Sequence, residues 1–286
     1  MRSVLVVALT ASAVIGAFVI LSPVLAERLL FFPTRLPAVA PPLAGGVQGA
    51  DVWLETTDGV RLHGWWFEAA PGAPVLVHFH GNADDLRSRT HVAEAFVPRG
   101  FSVLLAGYRG YGLSDGKPTE LGLYHDGEAA LRFAGEKAGG SARVILYGHS
   151  LGGAVATHVA SESDVGALIV ESAFTSLADI GHAVYPFIPR VLLRRLRGSF
   201  DNRTAIANVA APTLVIHGTA DAVVPERMGR ELYQSATGPK EWFPVPYAGH
   251  NDIPLAAGAD WADRIASFAA RALEQSRDRS DPGPIR

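Results

Sequence analysis

The sequence predicts an α/β fold: a mostly parallel central sheet with helices on both faces, carrying a reactive serine at its carboxyl edge. Three observations carry that prediction. Short, wholly apolar runs recur along the chain with helix-like segments between most of them, the pattern of strands buried on both faces. A hairpin signal, Thr57-Asp58-Gly59 between two strand-like runs, opens the series. Gly148-His149-Ser150-Leu151-Gly152 lies directly between one apolar run and one helix-like segment.

In chain order, Asp51–Glu55 and Val60–Phe67 form the initial antiparallel hairpin. The apolar runs Val75–Phe79, Ser102–Ala106, Val144–Tyr147, Ala167–Val170, Thr213–Ile216 and Trp242–Val245 supply the buried strands. The intervening segments Asp84–Val97, Glu120–Ala138, Leu151–Glu162 and Glu226–Ser235 read as covering helices, and Ala259–Ser276 as a final one. Between Ser172 and Asn202 there is no clean strand, so this stretch is an insertion. It carries Tyr185-Pro186-Phe187-Ile188-Pro189 and then Arg190, Arg194, Arg195 and Arg197 among aliphatic residues. It reads either as an amphipathic surface helix or as a small cap over the site, touching anionic lipid or an acidic substrate group.

The chain of 286 residues has room for one large domain or two small ones. With 48% hydrophobic and 19% charged residues, it can bury a core and is not a disordered chain. Its 25 basic and 28 acidic side chains lack the cationic excess of a nucleic-acid binder. The absence of cysteine excludes disulfides, a thiol nucleophile and thiolate metal ligands.

No charge occurs from Ser3 to Ala26. As a helix those residues would extend about 36 Å, enough to cross a hydrocarbon core of about 30 Å. Arg28, Phe31, Phe32 and Arg35 follow, a cationic and aromatic mix suited to a membrane interface. The expectation is a retained single-pass anchor with the body leaning extracytoplasmic. A cleaved secretory signal and a buried core helix are the alternatives. The expected organisation is an anchor or signal over 1–26, a linker over 27–48, a domain over 49–275 with a cap insertion at about 172–202, and a flexible tail over 276–286.

A serine on a sharp strand-to-helix turn needs small residues around it, which Gly148 and Gly152 supply, with His149 between. The helix that follows aims unpaired N–H groups and partial positive charge at the same place. Serine needs a base to become a nucleophile. Of ten histidines, only His250 lies on a loop beyond the last predicted strand. Asp221, just beyond Thr213–Ile216, is the expected partner for its ring. Asp252 is a rival, but it lies only two residues from the histidine. Donors for a developing oxyanion would come from the N–H of Asn82 or Ala83, paired with that of Leu151. His78 and His80 alternate on a strand and are a weak metal-ligand alternative; no third ligand is placed by spacing, so no metal is expected. His149 and His217 read as packed, hydrogen-bonded neighbours of the site.

These residues resemble the alpha/beta-hydrolase superfamily, in particular its N-terminally membrane-anchored, serine aminopeptidase-like branch. The resemblance runs from about Leu29 to Phe268. It rests on Leu29-Leu30-Phe31-Phe32-Pro33-Thr34-Arg35, His80-Gly81-Asn82-Ala83, Tyr108-Arg109-Gly110-Tyr111-Gly112 and Gly148 to Gly153. It continues in Glu171-Ser172-Ala173-Phe174-Thr175-Ser176, in Ile216-His217-Gly218 with Asp221, and in Gly249-His250-Asn251-Asp252. It implies Ser150 as nucleophile, Asp221 as acid and His250 as base, with no cofactor. Two departures lie in loops beside the site: Gly107 replaces a frequent Asp, and Asp84-Asp85 replaces a frequent Gly-Asn.

The sequence thus predicts a monomeric serine hydrolase acting on an ester, thioester or amide of a small-molecule or acylated substrate. A tethered binding module without activity, and a cofactor-free haloperoxidase or lyase, are the alternatives from other classes.

Overall fold

The structure is a computed structural model that describes residues 31–35, 39–184, 187 and 199–280. The predicted anchor at 1–26, part of the linker, most of the cap stretch carrying the four arginines, and residues 281–286 lie outside the described residues.

An eight-stranded sheet organises the molecule. Its strands are β3 (Ala50–Glu55), β4 (Arg61–Phe67), β5 (Val75–Phe79), β6 (Ser102–Ala106), β7 (Val144–His149), β8 (Ala167–Glu171), β9 (Thr213–Gly218) and β10 (Lys240–Val245). Their order is β3-β4-β6-β5-β7-β8-β9-β10, and β4 runs antiparallel to both its neighbours while every pair from β6 to β10 is parallel. Alternation along each strand feeds two cores. Val75, Val77 and Phe79 of β5 join Val144 and Leu146 of β7 on one face, whereas Leu76 joins Ile145 and Tyr147 on the other. Helices α2 (Glu120–Ala138), α3 (Leu151–Ser161) and α6 (Glu226–Ser235) cover the first face. Helices α1 (Thr90–Phe96) and α8 (Ala259–Ser280) cover the second, with Phe96, Trp261, Ile265 and Phe268 inserted.

Elsewhere the structure redraws boundaries. The predicted helix from Asp84 begins only at Thr90, after a 3₁₀ turn at Arg87–Arg89. The reason is local: Asp85 accepts from the N–H groups of Arg87 and Ser88, and Asp84 from that of Gly81. Those side-chain bonds hold a turn in place of a first helical turn. Strands β7, β8 and β9 each run beyond their apolar runs, because Gly148 and His149 pair in register with Val170 and Glu171, and His217 and Gly218 with Pro244 and Val245.

Part of the stretch read as a linker is built into the body. Strands β1 (Leu43–Ala44) and β2 (Val47–Gln48) pair, and Ala44 is buried beside α1. Helix α4 (Leu177–Val184) occupies the described part of the insertion, and α5 (Asn202–Ala207) follows it. Helix α7 (Ile253–Ala257) follows the His250 loop, and α8 continues to Ser280, into the stretch read as a loose tail. No helix among the described residues is long and apolar enough to cross a membrane.

Candidate active site

The serine turn is built by steric necessity. A Cβ on Gly148 would lie 2.1 Å from the carbonyl oxygen of Gly152, and one on Gly152 would lie 2.1 Å from that of Phe79. Neither position tolerates a side chain, so β5, β7 and the start of α3 approach with backbone against backbone. Between them Ser150 takes φ 55° and ψ −115°, a conformation that costs about 1–3 kcal/mol unless its surroundings hold it. They do: its N–H donates to the Glu171 carbonyl at 2.9 Å, and its carbonyl accepts from Gly153 at 3.0 Å.

His250 comes to this turn from the loop beyond β10. Its Nε2 lies 3.1 Å from Ser150 Oγ, and its Nδ1 lies 2.8 Å from Asp221 Oδ2. Asp221 sits just past β9, its other oxygen accepting from the N–H groups of Val223 at 2.9 Å and Val224 at 2.8 Å. Burial pushes this carboxyl up, but hydrogen bonds from His217 and His250 outweigh it and hold it well below the usual carboxylate range. It is therefore ionised at any ordinary pH. Asp252 does not approach the ring; its carboxylate accepts from the Gly249 N–H and folds the loop. His217 is buried, with Nε2 donating to the Val224 carbonyl at 2.9 Å.

Gly81, Asn82, Ala83 and Leu151 line the same cavity as Ser150 and His250. It measures about 370 Å³, and Phe32, Phe174, Leu177, Ile180, Val223 and Val224 give it an apolar wall. The Asn82 side chain accepts from the Phe32 N–H at 3.1 Å and from the Tyr111 hydroxyl at 2.8 Å. The chain thus enters the body at the cavity itself. His78 and His80 take separate neighbours, Tyr147 and Tyr108. Among the described residues, no three His, Cys, Asp or Glu side chains are placed to hold a metal.

Sequence reasoning missed a buried polar strut behind the histidine. Arg89 pairs with Asp84 and directs one N–H toward His149 Nδ1 at 3.3 Å. His149 Nε2 donates in turn to the His250 carbonyl at 2.9 Å, which fixes a neutral ring. Burial, then the Arg89 charge and the neighbouring His250, push the His149 pKa down to about 3. Asp84-Asp85 was visible as a departure from the family pattern, but nothing local tied it to Arg89 or His149. A second missed feature is Glu171, buried, accepting from Tyr147 at 2.6 Å and Trp261 at 3.0 Å, with its pKa raised by burial.

The comparisons with known proteins agree with this architecture. A protein of Mycobacterium tuberculosis is 40% identical over 247 residues, covering 85% of this chain and 86% of that one. WAV2 of Arabidopsis thaliana, described as an alpha/beta hydrolase domain-containing protein, is 30% identical over 249 residues, covering 80% and 81%. The chain belongs to the alpha/beta hydrolase superfamily. Within it, the serine aminopeptidase S33 family pattern matches residues 71–204, the stretch that holds β5, the Asn82 loop and the Ser150 turn. The solved esterase Pf2001 of Pyrococcus furiosus superposes with a TM-score of 0.71 at 22% identity, covering 85% of this chain and 99% of that one. That likeness is one of fold, the alpha/beta hydrolase fold with its mostly parallel sheet.

Proposed function

We propose that this hydrolase cleaves carboxylic esters through an acyl-enzyme on Ser150, with His250 as base and Asp221 as its partner. One observation carries the reading: a single imidazole bridges a strained serine hydroxyl and a buried carboxylate. His250 Nε2 takes the Ser150 proton as Oγ attacks the carbonyl carbon. Asp221 holds the ring in the required tautomer and stabilises the imidazolium. The N–H groups of Leu151 and of Asn82 or Ala83 receive the oxyanion, each such donor being worth about 2.7–4 kcal/mol in the transition state. As the tetrahedral adduct collapses, His250 returns the proton to the leaving alcohol and the acyl group stays on Oγ. Water, deprotonated by the same nitrogen, then releases the acid and restores the serine. The same donors and base serve thioesters and amides, and an ester ranks above an amide because an alcohol leaves more readily than an amine. No cofactor takes part.

The cavity lies at the small end of the usual range for ligand sites, about 300–1,000 Å³, which suits short to medium acyl groups. Residues 1–26 form the single-pass anchor of a monomer in this reading. A fluorophosphonate probe should label the full chain and not Ser150→Ala, whose kcat should fall on the order of 10⁶. Folded wild-type protein that takes no label would end the proposal. In a p-nitrophenyl ester series the rate should peak before ten acyl carbons, and a rate still climbing beyond that would refute the chain-length assignment.

A further inference from the structure

We propose that the mouth of the catalytic cavity faces a phospholipid bilayer, so that ester substrates reach Ser150 from the membrane and not from bulk water. This deepens the anchored-hydrolase reading above and rests on its anchor. The argument begins with where the chain joins the body. Phe31 is buried and packs edge-on against Phe200, their ring centroids 6.2 Å apart. Phe32 lines the cavity and donates its N–H to Asn82, and the Thr34 carbonyl accepts from Gly112 at 2.9 Å. The uncharged stretch ends at Ala26, five residue steps before Phe31. Fully extended, five steps reach at most about 18 Å. An anchor ending at Ala26 therefore cannot leave the cavity mouth far from the headgroup layer.

The surface at that mouth has the matching chemistry. Phe32 and Val223, both lining the cavity, are 59% and 54% exposed. Val184, one helical turn beyond the lining residue Ile180, is 53% exposed, and Phe187 beyond it is 79% exposed. Large apolar side chains close together mark an interaction surface, whereas scattered ones do not, and Phe32 and Val223 stand together at this opening. Arg35, three residues along from Phe32, is exposed, and a cation there suits lipid phosphates. The opposite, amino edge of the sheet, about one strand length away, carries charged residues such as Glu162 and Asp164. This face therefore suits lipid, and the described chain begins at Phe31 and Phe32 beside it.

The cysteine-free sequence makes the test direct. Val223→Cys, Val184→Cys and, as the distal control, Asp164→Cys are made in the full chain. Each is labelled with an environment-sensitive fluorophore and reconstituted in phosphatidylcholine–phosphatidylglycerol vesicles containing a nitroxide lipid. Labels at 223 and 184 should shift to the blue and be quenched at least twofold more than the label at 164. Equal quenching at all three positions, with the protein floating with the vesicles, overturns the orientation. Protein that stays in solution after flotation overturns the anchor and the proposal with it. Neither readout requires turnover, so failure of the hydrolase reading shows separately as loss of fluorophosphonate labelling.

Discussion

Replacing Arg89 with methionine tests the polar strut behind the catalytic loop. Arg89 is 7% exposed and holds Asp84 through two nitrogens. Methionine keeps most of the volume and removes the charge. Asp84 is then left with the Gly81 N–H and the Ser88 hydroxyl as partners, and His149 Nδ1 loses its only protein donor among the described residues. Breaking one side of a buried ion pair costs about 3–5 kcal/mol. The Asp84 side chain keeps 24% of its exposure, so the lower end applies, about 3 kcal/mol. Most domains have about 5–15 kcal/mol of stability, so the variant should still fold. Asp84→Asn in the same background removes the stranded charge, and the double variant should be more stable than Arg89→Met alone. Urea unfolding of the four proteins gives the cycle, with an expected coupling above about 1 kcal/mol. Turnover of a short ester should fall in parallel, because the strut also holds the His250 carbonyl. Additive losses, or a loss below about 1 kcal/mol for Arg89→Met, would refute the reasoning.

Asp221→Asn should lower kcat on the order of 10⁴, since the amide holds the wrong ring tautomer, and should also lower stability, since the fold favours the ionised carboxylate; a loss of kcat under tenfold contradicts its role. Gly152→Ala should yield no soluble protein, because its Cβ has no space against the Phe79 carbonyl, and a soluble, active variant would disprove the packing. His149 has its pKa at about 3 in the fold against 6.5 when free. Between those values the unfolded chain binds the proton more tightly, so this contribution to stability is whole above pH 6.5 and is lost as pH falls toward 3. His149→Gln keeps a donor for the His250 carbonyl and removes the titration. Unfolding free energy should then fall less steeply with acid, by up to about 1.4 kcal/mol per pH unit, and an unchanged slope would rule His149 out.

Much of this protein was legible because its rules are local. Apolar runs such as Val75–Phe79 and Val144–Tyr147 must be strands, since each is short, buried on both faces and bounded by glycine or a polar turn. Gly148 marks the serine turn because the clash it avoids, with the Gly152 carbonyl, lies within five residues, whereas Gly152 avoids the distant Phe79 carbonyl. Where local polar chemistry competed, as at Asp84 and Asp85, the expected helix began too early.

Tertiary structure decided what depends on distant residues. That β5 lies between β6 and β7, that His250 bonds Asp221 and not Asp252, and that Arg89 reaches both Asp84 and His149 are outcomes of packing. Glu171 gains its partner Trp261 from a helix 90 residues away. The physical reason is range. Steric exclusion and hydrophobic periodicity act over a few residues and leave their mark in the sequence, whereas a hydrogen bond between remote side chains exists only after the sheet has brought them within about 3 Å.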